Sequence, residues 1–207
     1  MARRSDHSRE ELYEMALDAA REIVLEVGVR GLTTRKVASR IGYSVGTLYN
    51  LFENLDDMIV HLNGRILDEL HDWLVEDFRQ GEPEFSLYAL VESYLKFTRK
   101  NRTLWNVLFE YRFPEDQELP VWYQEKINRL LRVIERSITP LFTPDREQDR
   151  QHAAYVLWCG LHGICALSST DKLGIVSSKS ISEMAGSLIT NYLAGIRSRM
   201  QPVGAAV

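Results

Sequence analysis

The sequence predicts an all-α protein of about nine helices, and three observations carry that expectation. Apolar residues recur at helical spacing along most of the chain, while the two-residue alternation of a half-buried strand is nearly absent. Capping residues and Gly or Pro punctuate the apolar stripes. At 207 residues, 45% hydrophobic, the chain is long enough to bury a core without disulfides or a structural metal.

Each helix has a local reason. Ser8-Arg9-Glu10-Glu11 reads as a capping box opening a first helix with an apolar stripe from Leu12 through Ile23, Val24 and Val27, which Gly28 and Gly31 end. Thr33 or Thr34 can cap a short second helix carrying Val37, Ala38 and Ile41, and Gly42 breaks it. Ser44 can cap a third short helix through Leu51. Asn54 caps a fourth, with Asp56 and Asp57 in the first turn where the helix dipole favours acids, and it runs towards Arg79. Gly81 and Pro83 interrupt the pattern, and three helices follow at about 84–100, 101–112 and 119–139. Pro144 opens an eighth helix to about Ser169, the polar stretch from Asp171 to Ser180 reads as a loop, and a ninth helix carries Ile181, Met184, Ala185, Leu188, Ile189, Tyr192, Leu193 and Ile196. The tail after Arg199 is expected to fray. The expected organisation is an N-terminal three-helix domain over residues 1–54 and a larger helical domain over residues 55–207.

A net charge of -4 argues, taken alone, against nucleic acid. The local pattern reverses that reading: no acidic residue falls between Glu26 and Glu53, where Arg30, Arg35, Lys36 and Arg40 cluster, and Arg3 and Arg4 add charge at the terminus. Cys159 and Cys165 sit in one apolar helical stretch with side chains pointing apart, so no intrachain bridge and a reducing, cytoplasmic compartment are expected. Neither a leader nor a stretch long and apolar enough for a membrane span is read.

Two short helices joined through Gly42-Tyr43-Ser44 and preceded by a longer one fit a helix-turn-helix, whose second short helix enters the DNA major groove N-terminus first. Ser44, Val45, Gly46 and Thr47 at that end offer unpaired backbone N–H groups, hydroxyls and a small apolar contact for a thymine methyl. Gly46 weakens the helix, and close approach to DNA explains it. Thr33, Thr34, Tyr43, Tyr49 and Asn50 suit phosphate and sugar contacts, Asn50 can also pair with adenine, and Arg35 can reach a phosphate or a base. Val37, Ala38, Ile41, Leu48 and Phe52 are the expected core of the three helices. Arg30 and Arg40 are read equally as DNA contacts or as solvated charges.

The run Gly31-Leu32-Thr33-Thr34, Val37-Ala38, Ile41-Gly42-Tyr43-Ser44, Gly46-Thr47-Leu48-Tyr49 and Leu51-Phe52 resembles the DNA-binding segment of the tetracycline-repressor (TetR) family, over about residues 8–60. Leu55 stands where that family usually has a lysine on a phosphate, so that contact is not carried over. The resemblance implies a DNA-binding repressor with a C-terminal ligand-binding and dimerisation domain. A pair of such heads reads a near-palindromic operator on double-stranded DNA. The last two helices, with wide apolar stripes and small residues Gly160, Gly163, Ala166, Ala185 and Gly186, are the expected homodimer surface, or else they complete the monomer core.

The middle helices are rich in aromatic residues. Such rings are usually core, but in a TetR-like protein they enclose an effector pocket, and Trp105, Phe109, Tyr123, Trp158 and His162 are the candidate lining for a small apolar effector. Trp158-Cys159-Gly160-Leu161-His162-Gly163 also resembles a tryptophan-histidine-glycine element of one TetR subgroup. Cys159, His162 and Cys165 are poorly spaced for one tetrahedral ion, so no metal is expected. No catalytic set and no cofactor motif is present, which argues against an enzyme. Two rival readings remain: a helical enzyme or small-molecule carrier that retains the DNA-binding segment, and an architectural DNA binder, which the acidic net charge disfavours.

Overall fold

The computed structural model describes residues 7–78, 81–110, 118–169, 173–176 and 178–200, and among them all regular structure is helical, with ten α-helices and three 3-10 turns. The side chains at 109, 110, 169 and 176 lie outside that description.

Helix α1 (Arg9–Val27) opens on the expected capping box. Ser8 Oγ accepts from the Glu11 N–H at 3.1 Å, and the Glu11 carboxylate accepts from the Ser8 N–H at 2.6 Å, which holds that carboxyl below its ordinary range. Its buried stripe, Leu12, Ala16, Leu17, Ala20, Ile23 and Val24, faces inward. After a 3-10 turn come α2 (Thr34–Ile41) and α3 (Val45–Leu48). Thr33, not Thr34, is the cap of α2. The third helix is shorter than expected: beyond Leu48 the bonds from Asn50 N–H to Thr47 O and from Leu51 N–H to Leu48 O tighten the chain into a turn.

Helix α4 (Leu55–Asp77) is capped by Asn54, whose side chain accepts from the Asp57 N–H at 2.8 Å. Then follow α5 (Pro83–Lys100), α6 (Arg102–Glu110), α7 (Val121–Ile138), α8 (Glu147–Ser169), α9 (Leu173–Val176) and α10 (Ile181–Met200). Pro144 opens a 3-10 turn, and α8 itself begins at Glu147. The one-turn α9 lies within the stretch read as a loop; Leu173, 7% exposed, anchors it, while Ile175 is 84% exposed.

The chain divides into two compact units, Met1–Asp68 with Asn101–Tyr123, and Glu69–Lys100 with Gln124–Val207. In the first, α1 packs on α2 and α6, and α2 on α3. Its core includes Leu17, Val37, Leu48, Phe52, Met58, Leu62 and Ile66. Asn63 on α4 is fully buried there with neither amide atom hydrogen-bonded.

In the second unit α5, α8 and α10 pack together around Leu87, Leu95, Leu157, Ile189 and Leu193. Polar clamps fix the geometry: the Trp73 indole donates to Ser93 O at 3.1 Å, Tyr88 bonds Gly186 O and the Thr190 hydroxyl, and Arg197 forks onto Glu84.

Candidate nucleic-acid interface

The two short helices are set by their ends. Thr33 Oγ1 accepts from the Lys36 N–H at 3.2 Å and starts α2. At its far end the Gly42 N–H bonds Ser39 O and the Tyr43 N–H bonds Ala38 O, with Gly42 at φ 76°, a conformation that side chains with a Cβ resist. The sharp reversal turns the chain into Ser44, whose Oγ accepts from the Thr47 N–H at 3.2 Å and lies 3.0 Å from the Thr47 hydroxyl. The helix-turn-helix angle therefore follows from a threonine, a glycine and a serine at fixed spacing.

These ends decide what faces outward. Ser44, Gly46, Tyr49 and Asn50 are exposed, Thr47, Val45, Tyr43 and Thr34 are half-buried, and Thr33 and Arg35 are exposed on α2. Leu48 is fully buried between them. Tyr49 is 54% exposed, a ring held in water where a core residue would not be. A Cβ built on Gly46 would meet only Ser44 Oγ, at 3.8 Å, so nothing inside the protein demands a glycine. Tyr43 is less available than its sequence position suggests, because its hydroxyl lies 2.7 Å from His7 Nδ1.

The basic cluster also resolves into parts. Arg35 is exposed and carries no ion pair among the described residues, and Arg30 is exposed as well. Lys36 turns back to donate to Gly31 O at 2.7 Å. Arg40 forks onto Glu26 at 2.6 and 2.9 Å with Glu22 at 3.5 Å, so acids from α1 neutralise it across space. That pairing draws the Glu26 carboxyl below its usual range and raises the arginine. Sequence distance hid this, since both glutamates fall outside the acid-free stretch.

Sequence reasoning also missed what holds the end of α3. Phe52, 2% exposed, stacks on Tyr13 with ring centroids 5.3 Å apart. Tyr13 hydrogen-bonds His61 Nδ1 at 2.9 Å, and Trp122 lies flat on His61 at 4.8 Å. Burial raises the Tyr13 phenol above its ordinary range. Phe52 was an expected core residue; its partnership with Tyr13, His61 and Trp122 was not visible in sequence.

The effector-lining candidates fall in both units. In the first, Trp105 on α6 and Tyr123 on α7 are 1% and 4% exposed, and burial pushes the Tyr123 phenol up to about 12. In the second, Trp158 stacks on His162 at 5.8 Å, and His162 Nδ1 lies 2.9 Å from the Tyr94 hydroxyl. Burial lowers His162 to about 4, so it is neutral at physiological pH. The Phe109 side chain lies outside the described residues. An open cavity of about 450 Å³ in the second unit is lined instead by polar residues of α7 and α8, among them Arg132, Glu135 and Arg150. Among the described residues no three metal-ligating side chains converge, and no helix is long and apolar enough to cross a membrane.

Comparison with known proteins places this geometry. Residues 87–192, just over half of the chain, match the tetracyclin repressor-like C-terminal domain, and residues 16–62 match the bacterial regulatory proteins of the tetR family. The chain is 36% identical over 88 residues to the class D tetracycline repressor protein of Escherichia coli, 42% of this chain and 35% of that protein, so it spans about a third of the length of that relative. Thermus thermophilus FadR, a TetR-family transcriptional repressor solved with lauroyl-CoA, superposes with a TM-score of 0.63 at 18% identity over 94% of this chain and 98% of that one. Bacillus subtilis FadR, a transcriptional regulator solved with stearoyl-CoA, gives 0.61 at 18% identity over 88% and 98%. At those identities the structures speak for the fold alone, but the two matched domain models settle the family: the chain belongs to the TetR family of bacterial regulatory proteins.

Proposed function

We propose that this protein is a homodimeric, cytoplasmic transcriptional repressor, not an enzyme, that binds a near-palindromic operator and is released from it by a small apolar effector. The observation that carries the reading is the outer face of α3. Ser44, Gly46, Thr47, Tyr49 and Asn50 form a small, polar surface with Arg35 beside it, on a helix whose only fully buried side chain is Leu48. Hydroxyls and an amide on a narrow, glycine-relieved ridge suit base edges and phosphates in the major groove. On this reading residues 1–54 bind DNA and residues 55–207 bind the effector and dimerise.

Two features support the rest. Along α8, Tyr155, Val156, Cys159, Gly163 and Leu167 are exposed at helical spacing, and α8 packs on α10, which fits a four-helix dimer surface. Tyr94, Trp158 and His162 offer rings with a neutral polar tip, suited to an apolar ligand held by one or two hydrogen bonds. Two similar structures were solved with acyl-CoA thioesters, so a long acyl chain, presented free or as its CoA thioester, is the apolar group to test first.

The test is selection of bound duplexes from a random double-stranded library with the purified protein, followed by titration of the recovered duplex across salt. The reading requires a two-fold-symmetric site whose affinity falls steeply with salt. Failure to enrich any sequence would sink it, and ligand binding without selective DNA affinity would make the protein a carrier.

A further inference from the structure

Helix α3 has four residues, and a helix of one turn does not hold itself in water. Its aim depends on what its ends are fastened to. The leading end is fastened by the Gly42 reversal and the Ser44 cap. The trailing end is fastened by Leu48 and Phe52, and Phe52 sits among rings: Tyr13 stacked on it at 5.3 Å and His61 edge-on at 5.6 Å.

His61 is held as a hub. Its Nδ1 meets the Tyr13 hydroxyl at 2.9 Å and its Nε2 lies 3.5 Å from Asp57 Oδ1. Asp57 accepts in turn from the Glu53 N–H at 2.9 Å, in the linker directly after Phe52. Both ring nitrogens thus have polar neighbours, and the imidazole face takes Trp122, parallel within 15° at 4.8 Å. Trp122 belongs to the first turn of α7, far along the chain from the helices it braces. Phe52 touches Tyr13 and His61 directly, and Trp122 reaches it only through His61 and is itself half-buried.

We propose that Trp122 is a positioning residue for DNA reading: by packing on His61 it closes the ring cluster that fixes Phe52 and, through it, the trailing end of α3. Selective DNA affinity is then set in part from α7, a helix that starts in the first unit and ends in the second. The proposal rests on the reading of the chain as a DNA-binding regulator.

The experiment compares wild type, Trp122→Ala and Trp122→Phe on the duplex recovered by selection and on a random duplex of equal length, with amide exchange followed by mass spectrometry. Trp122→Ala is expected to lose about tenfold on the selected duplex, the scale of one aromatic pair. Random-duplex affinity, carried by phosphate contacts, stays within about twofold. Trp122→Phe, which keeps a ring face, recovers most of the loss. Exchange at residues 45–58 speeds about fivefold in the alanine variant while that at 181–200 is unchanged. Wild-type selectivity together with unchanged exchange in Trp122→Ala overturns the proposal. So does a parallel loss on both duplexes with a lowered melting temperature, which marks a merely structural ring. If wild type itself does not discriminate between duplexes, the DNA-binding reading fails, and the exchange data alone decide whether Trp122 braces α3.

Discussion

In the helix-turn-helix segment the residues proposed to meet DNA are polar and mostly exposed, whereas the effector-lining candidates among the described side chains are aromatic and buried or half-buried. Tyr49 is 54% exposed, and Gly46 has no close neighbour. Trp105 and Tyr123 are at most 4% exposed, and Trp158 and His162 are half-buried. The difference teaches where function and stability can be separated. Exposed reading residues whose side chains cap no helix, such as Gly46 and Tyr49, can be altered without unfolding the chain, but a buried ring contributes to whatever it packs on before it contributes to any ligand.

The strongest way to press that contrast is Trp105→Ala. Removing a fully packed indole from α6 is expected to destabilise the protein by about 3–5 kcal/mol in urea unfolding. A loss below about 1 kcal/mol would mean that the ring faces space, not packed neighbours, and would move it from core to pocket wall. Next in size is the double variant Thr47→Ala with Tyr49→Ala. Two lost DNA contacts at about 1–3 kcal/mol each should cut affinity for a selected duplex at least about 30-fold. Its unfolding midpoint should stay near that of wild type; an equal loss of stability would show that these side chains brace the head.

How much of this was legible in the sequence follows the same divide. The helix-turn-helix was readable because its determinants are local: Thr33, Gly42 and Ser44 act on backbone within three or four residues of themselves, so spacing alone fixes the turn. Gly46 and Tyr49 were likewise readable as outward-facing. The charge pattern was only half legible, since Arg40 finds Glu26 on another helix and a linear count of acids cannot see that. His61 was invisible as a hub because its partners, Tyr13, Phe52 and Trp122, come from three separate stretches of chain. Aromatic abundance in the middle helices said that rings were present but not which were packed against which. The one-turn α9 escaped because a single buried leucine carries no period.

A smaller effect separates the buried side by pH. His162 is held at about 4 by burial, against 6.5 when free, so the unfolded chain takes up a proton that the folded protein refuses between those values. The associated stability is complete above pH 6.5 and is lost as pH falls towards 4, by about 1–2 kcal/mol once partial exposure is allowed for. Denaturant titrations from pH 7 to 4 should show this slope in wild type and a flatter one in His162→Phe. An equal slope in both would assign the acid sensitivity to other groups, and the ring next to Trp158 would then be solvated more than its packing implies.

The smallest change is the most discriminating. Gly46 sits inside a helix with ordinary φ, and a methyl group there would meet only the Ser44 hydroxyl at 3.8 Å. Within the protein, Gly46→Ala should therefore be harmless and even stabilising, by up to about 1 kcal/mol of helix propensity. Against DNA the same methyl stands on the exposed ridge between Ser44 and Thr47, where a backbone closing on a base edge has no room to spare. Selective affinity should fall about tenfold or more while the melting temperature rises, a pairing of opposite signs that neither misfolding nor a lost hydrogen bond produces. If Gly46→Ala binds the selected duplex as wild type does, the ridge stands off the bases. The glycine then has no reason in the complex either, and recognition would have to move to Tyr49, Asn50 and Arg35, where longer side chains can reach from further away.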